Sequence, residues 1–376
     1  MVRMRQMSVA IVLRDLSSGG IQASAMKLLT AMPEVTHLIL LDDHIEYELP
    51  PNLVVVVLNR NFSRGRVNQK MGFARAVWRL SRVMADQPIG VVMSFGFSIN
   101  VLAVLASRLL KNRPKVICGI RNSRMEYQSR AGRLNLLSIL VPLTSRLADG
   151  LIVNSLALRT ELLDDGLKSE RIAVVQNGFD IQHIRKLADQ VVDDGIGYSD
   201  GVPIVVFVGR LSAQKNIPLL LQAFALVLQR MPAKLLIVGG GEEEQTVRLA
   251  IDQFGLGAHV LLLGKQKNPY FYMRIASVLV LSSLFEGFPN VLVEAMACGT
   301  PVVSVNCPHG PEEILSGGGG LLVPAADVGR LADAIFEVLN SPSLREDLSA
   351  SALKRASEFD IAMMLSNMRS AIRSFS

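Results

Sequence analysis

Short aliphatic and β-branched runs recur along this chain, each followed by a stretch in which apolar residues return every three or four positions. In the first half the runs are Ser8–Leu13, Thr36–Leu41, Leu53–Leu58, Gly90–Ser94, Lys115–Ile120 and Gly150–Asn154. In the second half they are Ile204–Val208, Lys234–Val238, Val260–Leu263, Val278–Leu281 and Pro301–Val305. Strands alternating with helices in this way predict stacked βαβ units and parallel sheets. Between the halves, "ADQVVDDGIGYSDGVP" at 188–203 is rich in Gly, Asp and Pro and reads as an interdomain linker. The pattern therefore predicts an α/β domain over 1–190 and a second over 200–358. A last helix near Ile361–Ser374, within 359–376, follows once the second domain is complete. No repeat of solenoid period is present, and the one low-complexity tract is "SGGGG" at 316–320.

Size agrees with two domains, because 376 residues exceed what one ordinary core organises. Half the residues are hydrophobic, enough to bury two cores. No run approaches the roughly eighteen apolar residues that a spanning helix needs. The start, "MVRMRQMSVAIVL", is basic then apolar, but the apolar part is only Val9–Leu13 and Arg14-Asp15 follow directly. It reads as a first buried strand and not a secretion signal. Cys118, Cys298 and Cys307 have neither metal nor redox spacing and point to a reducing, cytoplasmic setting. Charge is uneven: residues 1–190 hold 25 Lys and Arg against 15 Asp and Glu, while the remainder holds 14 against 18. A first half at +10 beside a second at −4 suggests that the first meets an anionic surface or ligand.

The stretch "SSLFEGFPNVLVEAMACGTPVVS" at 282–304 carries the most chemistry. A strand ends at Leu281, Ser282–Phe288 form the loop, and Pro289 suits a first helical turn because it lacks an amide that would go unpaired. The helix runs through Ala297, and Gly299 stops it. Glu286 thus lies on the loop and Glu294 about a turn and a half into the helix. Between them, amides from Phe288 to Leu292 make a positive helix start suited to a phosphate, with an acid on either side to accept from sugar hydroxyls. Acids near a helix start also stabilise it without any ligand, so the flanking sequence has to decide.

A second site is "VFVGRLSAQKNIPLLLQAF" at 206–224, where Arg210 and Lys215 follow a strand and a Gly209 turn. A planar fork and a mobile point charge together suit a diphosphate. Third, Gly19-Gly20 precede a helix directly after the first strand and permit close backbone approach to a ligand. "IVGGGEEEQ" at 237–245 imitates a dinucleotide fingerprint but fails it, since Glu244 stands where the third glycine belongs.

Taken together, "VGRLSAQKN", "EGFPNVLVEAMACGTPVVS" and "CPHGPEEIL" resemble the retaining nucleotide-sugar glycosyltransferases of family 4, most closely over 204–325. The resemblance implies the GT-B fold: two Rossmann-like domains facing across a cleft, with the C-terminal helix packing back on the first, acceptor-binding domain. It implies that Arg210 and Lys215 hold the donor diphosphate and stabilise the leaving UDP. Glu294 would bind the ribose hydroxyls, and Glu286 those of the transferred sugar. Backbone at Gly287, Phe288, Pro289, Asn290, Val291 and Leu292 would complete the cradle. Gly264 and Lys265 would lie beside the base, and Gly19 and Gly20 would admit the acceptor. No Asp-x-Asp motif is present, and the resemblance implies neither metal nor cofactor, with a UDP-sugar as co-substrate and retention through front-face attack. Many relatives carry a histidine after the fifth strand; here the region reads "VICGIRNSRMEYQ", with Arg121-Asn122 on the acceptor side in its place.

In "FARAVWRLSRVM", Phe73, Val77, Leu80 and Met84 share one helical face and Arg75, Arg79 and Arg82 the opposite one, with Arg60, Arg64 and Arg66 upstream. This basic face is expected to meet anionic lipid or the pyrophosphate of a polyprenyl-linked acceptor. No aromatic platform accompanies it, so nucleic acid is not an expected partner. The leading expectation is a metal-independent transferase, peripheral on the cytoplasmic face of the inner membrane. It would move a hexose or N-acetylhexosamine (GalNAc, GlcNAc, Gal or Glc) from UDP to a membrane-associated glycan. A UDP-sugar 2-epimerase on the same architecture, and an inactive nucleotide-sugar-binding scaffold, stand as alternatives.

Overall fold

The computed structural model describes residues 8–17, 19–59, 72–121, 143–192 and 201–375. Asn122, Arg60, Arg64 and Arg66 lie outside the described residues. The first sheet is built in chain order from β1 (Val9–Leu13), α1 (Gly20–Ala31), β2 (Val35–Asp42), β3 (Val54–Asn59), α2 (Phe73–Asp86), β4 (Val91–Phe95), α3 (Phe97–Arg108), β5 (Lys115–Ile120), β6 (Gly150–Val153), α4 (Leu156–Asp164) and β7 (Ile172–Val174). Its seven strands run in the order β3-β2-β1-β4-β5-β6-β7, every neighbouring pair parallel. Strands buried on both faces favour apolar side chains at successive positions, which is why β1 reads as an unbroken apolar run and β4 departs from one only at Ser94, whose hydroxyl donates to Asn100 Oδ1.

The second sheet follows α5 (Ile181–Ala188) and takes in β8 (Ile204–Val208), α6 (Ile217–Leu228), β9 (Lys234–Val238), α7 (Glu244–Gln253), β10 (Val260–Gly264), α8 (Pro269–Ile275), β11 (Val278–Leu281), α9 (Asn290–Ala297), β12 (Val302–Asn306), α10 (Pro311–Leu315) and β13 (Gly320–Pro324). Helices α11 (Val328–Asn340), α12 (Pro342–Ser357) and α13 (Ile361–Phe375) close the chain. The six strands run β10-β9-β8-β11-β12-β13, again all parallel. Each sheet reverses its winding once, between β1 and β4 and between β8 and β11. At such a reversal the loops beyond the carboxyl ends of two neighbouring strands diverge, leaving a crevice where ligands bind.

Two strands escape the sequence pattern. Ile172–Val174 is three residues long and only partly buried, too brief for a periodic signal. Gly320–Pro324 begins inside the tract that composition marks as low-complexity, yet its first glycine is demanded by packing. A Cβ at Gly320 would stand 2.3 Å from the carbonyl oxygen of Val302, its partner in β12.

The domain boundary also differs from expectation. One compact unit comprises Met1–Gln176 with Met364–Ser376, and the other Asn177–Met363. The linker expected at 188–203 therefore falls inside the second unit, and the first ends before 190. Helix α5 explains the shift, because Ile181, Ile184 and Ala188 are buried in one cluster with Val206 and Leu292. Composition flagged Gly, Asp and Pro, whereas the change of unit comes in "VVQNGF", which has no linker composition. The end of α13 belongs to the first unit: Arg369 Nε donates to Glu34 at 2.9 Å, and the Phe375 ring fills the space a Cβ on Gly150 would need. Phe375 is buried. Phe375→Ala should destabilise the first unit by about 3 kcal/mol, measured as an earlier transition in chemical denaturation.

Candidate active site

The loops that diverge at the β8–β11 reversal hold the residues the sequence singles out. After β8 the chain turns at Gly209, whose amide donates to the Val238 carbonyl, while the Leu211 amide donates to Gly240. This close lacing explains the glycine run after β9. A Cβ on Gly239, where φ is +143°, would lie 1.8 Å from the Gly209 oxygen, and one on Gly241 would lie 2.3 Å from that of Leu211. "VGGG" is thus packing for the Arg210 loop, a role that its resemblance to a nucleotide fingerprint concealed. A 3₁₀ turn, Ala213–Lys215, follows and ends at Asn216 in the left-handed region, φ 46°. Pro218 then stands in the first turn of α6.

The loop after β11 is joined to this turn. Ser282 Oγ donates to the Lys215 carbonyl, the Leu284 amide to the Gln214 carbonyl, and Gln214 Nε2 to the Phe285 carbonyl, each at 2.8 Å. The loop after β12 joins as well: the Glu286 amide donates to Pro308, and Gly310, with φ +97°, leaves no room for a Cβ against the Pro289 ring, 2.4 Å away. Three strand-end loops are thereby fixed against one another before any ligand arrives.

At their centre Lys215 Nζ meets Glu286 Oε1 at 2.6 Å, and Ser283 Oγ donates to the same oxygen at 2.6 Å. The lysine side chain is 16% exposed and the glutamate 8%, so the pair is largely withdrawn from water. The sequence assigns Lys215 to diphosphate and Glu286 to sugar as separate duties; the structure makes them one contact pair. An ammonium has three donors, so Lys215 keeps others for a phosphate while holding Glu286. Behind them the Cys307 thiol is pushed up to about 12 by burial and then by the Glu286 charge, so it stays neutral.

Lys215 and Glu286 line a cavity of about 290 Å³ together with Val208, Gly209, Arg210, Phe288, Pro289, Asn290, Val291 and Glu294. Arg210 is exposed. Two details of the cradle differ from expectation. Pro289 caps α9 from outside the helix, with ψ 87°, instead of lying in its first turn. The Leu292 amide donates back to the Pro289 carbonyl, and its side chain is fully buried, so Leu292 does not belong to the cradle. The first amides within α9 are those of Asn290 and Val291, which by helix geometry have no acceptor inside it. Asn290 is anchored through Oδ1, which accepts from Asn177 Nδ2 at 2.8 Å. Phe288 packs between the rings of Phe179 and Phe359, at centroid distances of 6.5 and 5.7 Å. Glu294 makes its charge felt nearby: the Tyr270 hydroxyl is raised above its usual range by burial and then by that carboxylate.

Other expected residues lie apart from this cavity. Gly264 ends β10 with φ +64°, and the Lys265 stem runs beside Gly240. In the first unit, Gly19 precedes α1 in extended backbone, where a Cβ would meet the end of the Gln22 side chain at 2.5 Å, whereas a Cβ at Gly20 would meet nothing within 4 Å. The neighbouring Asp15 carboxyl would be raised by burial, but hydrogen bonds from Ser17 and Gln22 bring it below its ordinary value. Arg121 follows β5, 7% exposed, its guanidinium 5.3 Å from the Phe95 ring centroid. Burial lowers it to about 10, leaving it cationic at neutral pH.

On α2, Arg75, Arg79 and Arg82 are exposed as expected, but Arg79 donates to the Leu58 carbonyl at 2.5 Å. Phe73 is 45% exposed instead of buried, since it opens the helix and the packed face starts one turn later at Ala76. Trp78 is also outward, 59% exposed, between Arg75 and Arg82. Among the described residues no helix is long and apolar enough to cross a membrane. Sequence reasoning missed Gln214 and Ser283, which hold the charged pair and its loops, and Gly310 and Asn177, which hold Pro289 and Asn290.

Known proteins share this fold and much of this sequence pattern. A family model described as Glycosyl transferases group 1 matches residues 193–355, and one described as Glycosyltransferase Family 4 matches 18–183. A Campylobacter jejuni protein is 26% identical over 94% of this chain and 95% of its own length. It is named N-acetylgalactosamine-N,N'-diacetylbacillosaminyl-diphospho-undecaprenol 4-alpha-N-acetylgalactosaminyltransferase. An uncharacterized glycosyltransferase of Methanocaldococcus jannaschii is 29% identical over 56% of this chain, which spans 53% of that relative. Among solved structures, Anabaena HepE in complex with UDP and glucose superposes with a TM-score of 0.79 at 21% identity, covering 98% of this chain and 100% of that one. The lipopolysaccharide-biosynthesis glycosyltransferase WaaG gives 0.73 at 16% identity over 96% and 98%. Two parallel-sheet units of this topology, the paired cations and acids at the second sheet's reversal, and both family models agree: the chain belongs to the family 4 glycosyltransferases of the GT-B fold.

Proposed function

We propose that this protein is a retaining, metal-independent transferase. It moves a hexose or N-acetylhexosamine from a UDP-sugar to a polyprenyl-diphosphate-linked or lipopolysaccharide-type glycan. The observation that carries this reading is the cavity in which Arg210, the Lys215–Glu286 pair, the α9 start and Glu294 converge. As the glycosidic bond breaks, electrons pass to the leaving diphosphate and the sugar becomes oxocarbenium-like. Arg210, Lys215 and the α9 amides are placed to stabilise that anion without reorganising, which is where most rate acceleration of this kind arises. Glu294 accepts from ribose hydroxyls and Glu286 from the transferred sugar. The leaving phosphate takes the acceptor's proton as the acceptor attacks on the same face. The name of the Campylobacter relative, a transferase acting on a diphospho-undecaprenol glycan, supports the acceptor class.

The same reading places the protein at the cytoplasmic face of the inner membrane, held by α2. Arg75 and Arg82 supply positive charge, and Trp78 supplies a side chain suited to a headgroup layer. Each basic residue near an anionic surface contributes about 1 kcal/mol.

Transfer to lipid-linked acceptors from a panel of UDP-sugars tests the chemistry. One donor should be consumed with release of UDP, and Glu286→Ala and Lys215→Ala should each lower turnover by about 10². Since the two residues act as a pair, the double variant should lose little more than either single. Interconversion of sugars without transfer would instead identify an epimerase, and binding without turnover a scaffold. Cosedimentation with anionic vesicles tests the docking face. Replacing Arg75 and Arg82 by Ser should weaken association roughly thirtyfold; unchanged association would remove α2 from the account.

A further inference from the structure

Glu286 accepts two hydrogen bonds, and both fall on Oε1: one from Lys215, the other from Ser283, which is itself only 2% exposed. Its second oxygen, Oε2, is therefore the one left for a donor sugar. Lys215 in turn sits on a turn whose position relative to Glu286 is set by Gln214. That residue accepts from the Leu284 amide through its backbone and donates to the Phe285 carbonyl through its side chain. Gln214 and Ser283 thus close a ring that runs from Lys215 through Glu286 and back along the two loops. Neither residue carries charge, and neither is among those lining the cavity.

We propose that Gln214 and Ser283 are positioning residues that hold Lys215 and Glu286 as one preformed unit, with Oε1 committed to the lysine and Oε2 presented to the transferred sugar. The inference rests on the donor-site reading above and deepens it. Unclasped, the glutamate can rotate about its side-chain bonds, and the lysine can leave it for the diphosphate. Binding of the nucleotide, which depends also on Arg210, Glu294 and the α9 amides, persists. What suffers is alignment of the sugar against its leaving group, where small displacements are costly.

The test compares Ser283→Ala, Ser283→Thr and Gln214→Ala with the unaltered protein, reading UDP affinity by calorimetry, kcat and KM for the UDP-sugar, and melting temperature. Ser283→Ala and Gln214→Ala should leave UDP affinity within about twofold while kcat falls about tenfold or more, and Ser283→Thr, which keeps the hydroxyl, should recover most of the loss. If the unaltered protein binds no UDP, the donor-site reading fails and takes this inference with it. If it binds and transfers but the variants keep full kcat, the clasp is overturned and the reading stands. A parallel fall in kcat, UDP affinity and melting temperature would equally overturn it, by reducing both residues to a structural role.

Discussion

The candidate site depends on one short ion pair. Lys215 and Glu286 come from loops that leave neighbouring strands in opposite directions, and their contact at 2.6 Å fixes where those loops stand. Taking two charges largely out of water is costly unless each finds close partners. The cost is met here by the second hydrogen bond from Ser283 and by backbone bonds that leave neither loop another place to go. Removing either charge alone would leave the other stranded, so the pair holds the two loops together, and the proposed chemistry would run through the same contact.

The glycines around it follow from this constraint. Gly239 and Gly241 let the Arg210 loop lie directly on the next strand end, and Gly310 lets the loop after β12 press against Pro289. Backbone stands where side chains would otherwise be, which keeps the cavity walls short and stiff. The aromatic cluster of Phe179, stacked on Phe288, and Phe359, edge-on to it, supports the same loop from behind, so that Phe288 serves the cavity mainly as a wall.

Much of this was legible in the amino-acid order. Strands buried on both faces announce themselves as continuous apolar runs, and β5, β8, β9 and β11 begin and end where the pattern placed them. Charged residues at strand ends are conspicuous too, and Arg210, Lys215, Glu286 and Glu294 do share one cavity. What stayed hidden has no local signature. Ser283 and Gln214 look like ordinary loop residues because their partners lie about seventy positions away or depend on a side-chain rotamer. The exchange of Leu292 for a purely packing role follows from a single turn at Pro289 that composition does not register. The boundary at Gln176 was missed because the chain crosses between units without any change in composition.

The central claim is electrostatic: the site recognises a diphosphate first and a nucleoside second. Calorimetric titration with UDP and with uridine, at low and at high salt, tests it most directly. The account predicts that UDP binds at least about 100-fold more tightly than uridine, the cost of losing two or more charge-assisted hydrogen bonds, and that the margin narrows as salt rises. Equal affinity for the two, or no affinity for UDP, would contradict it.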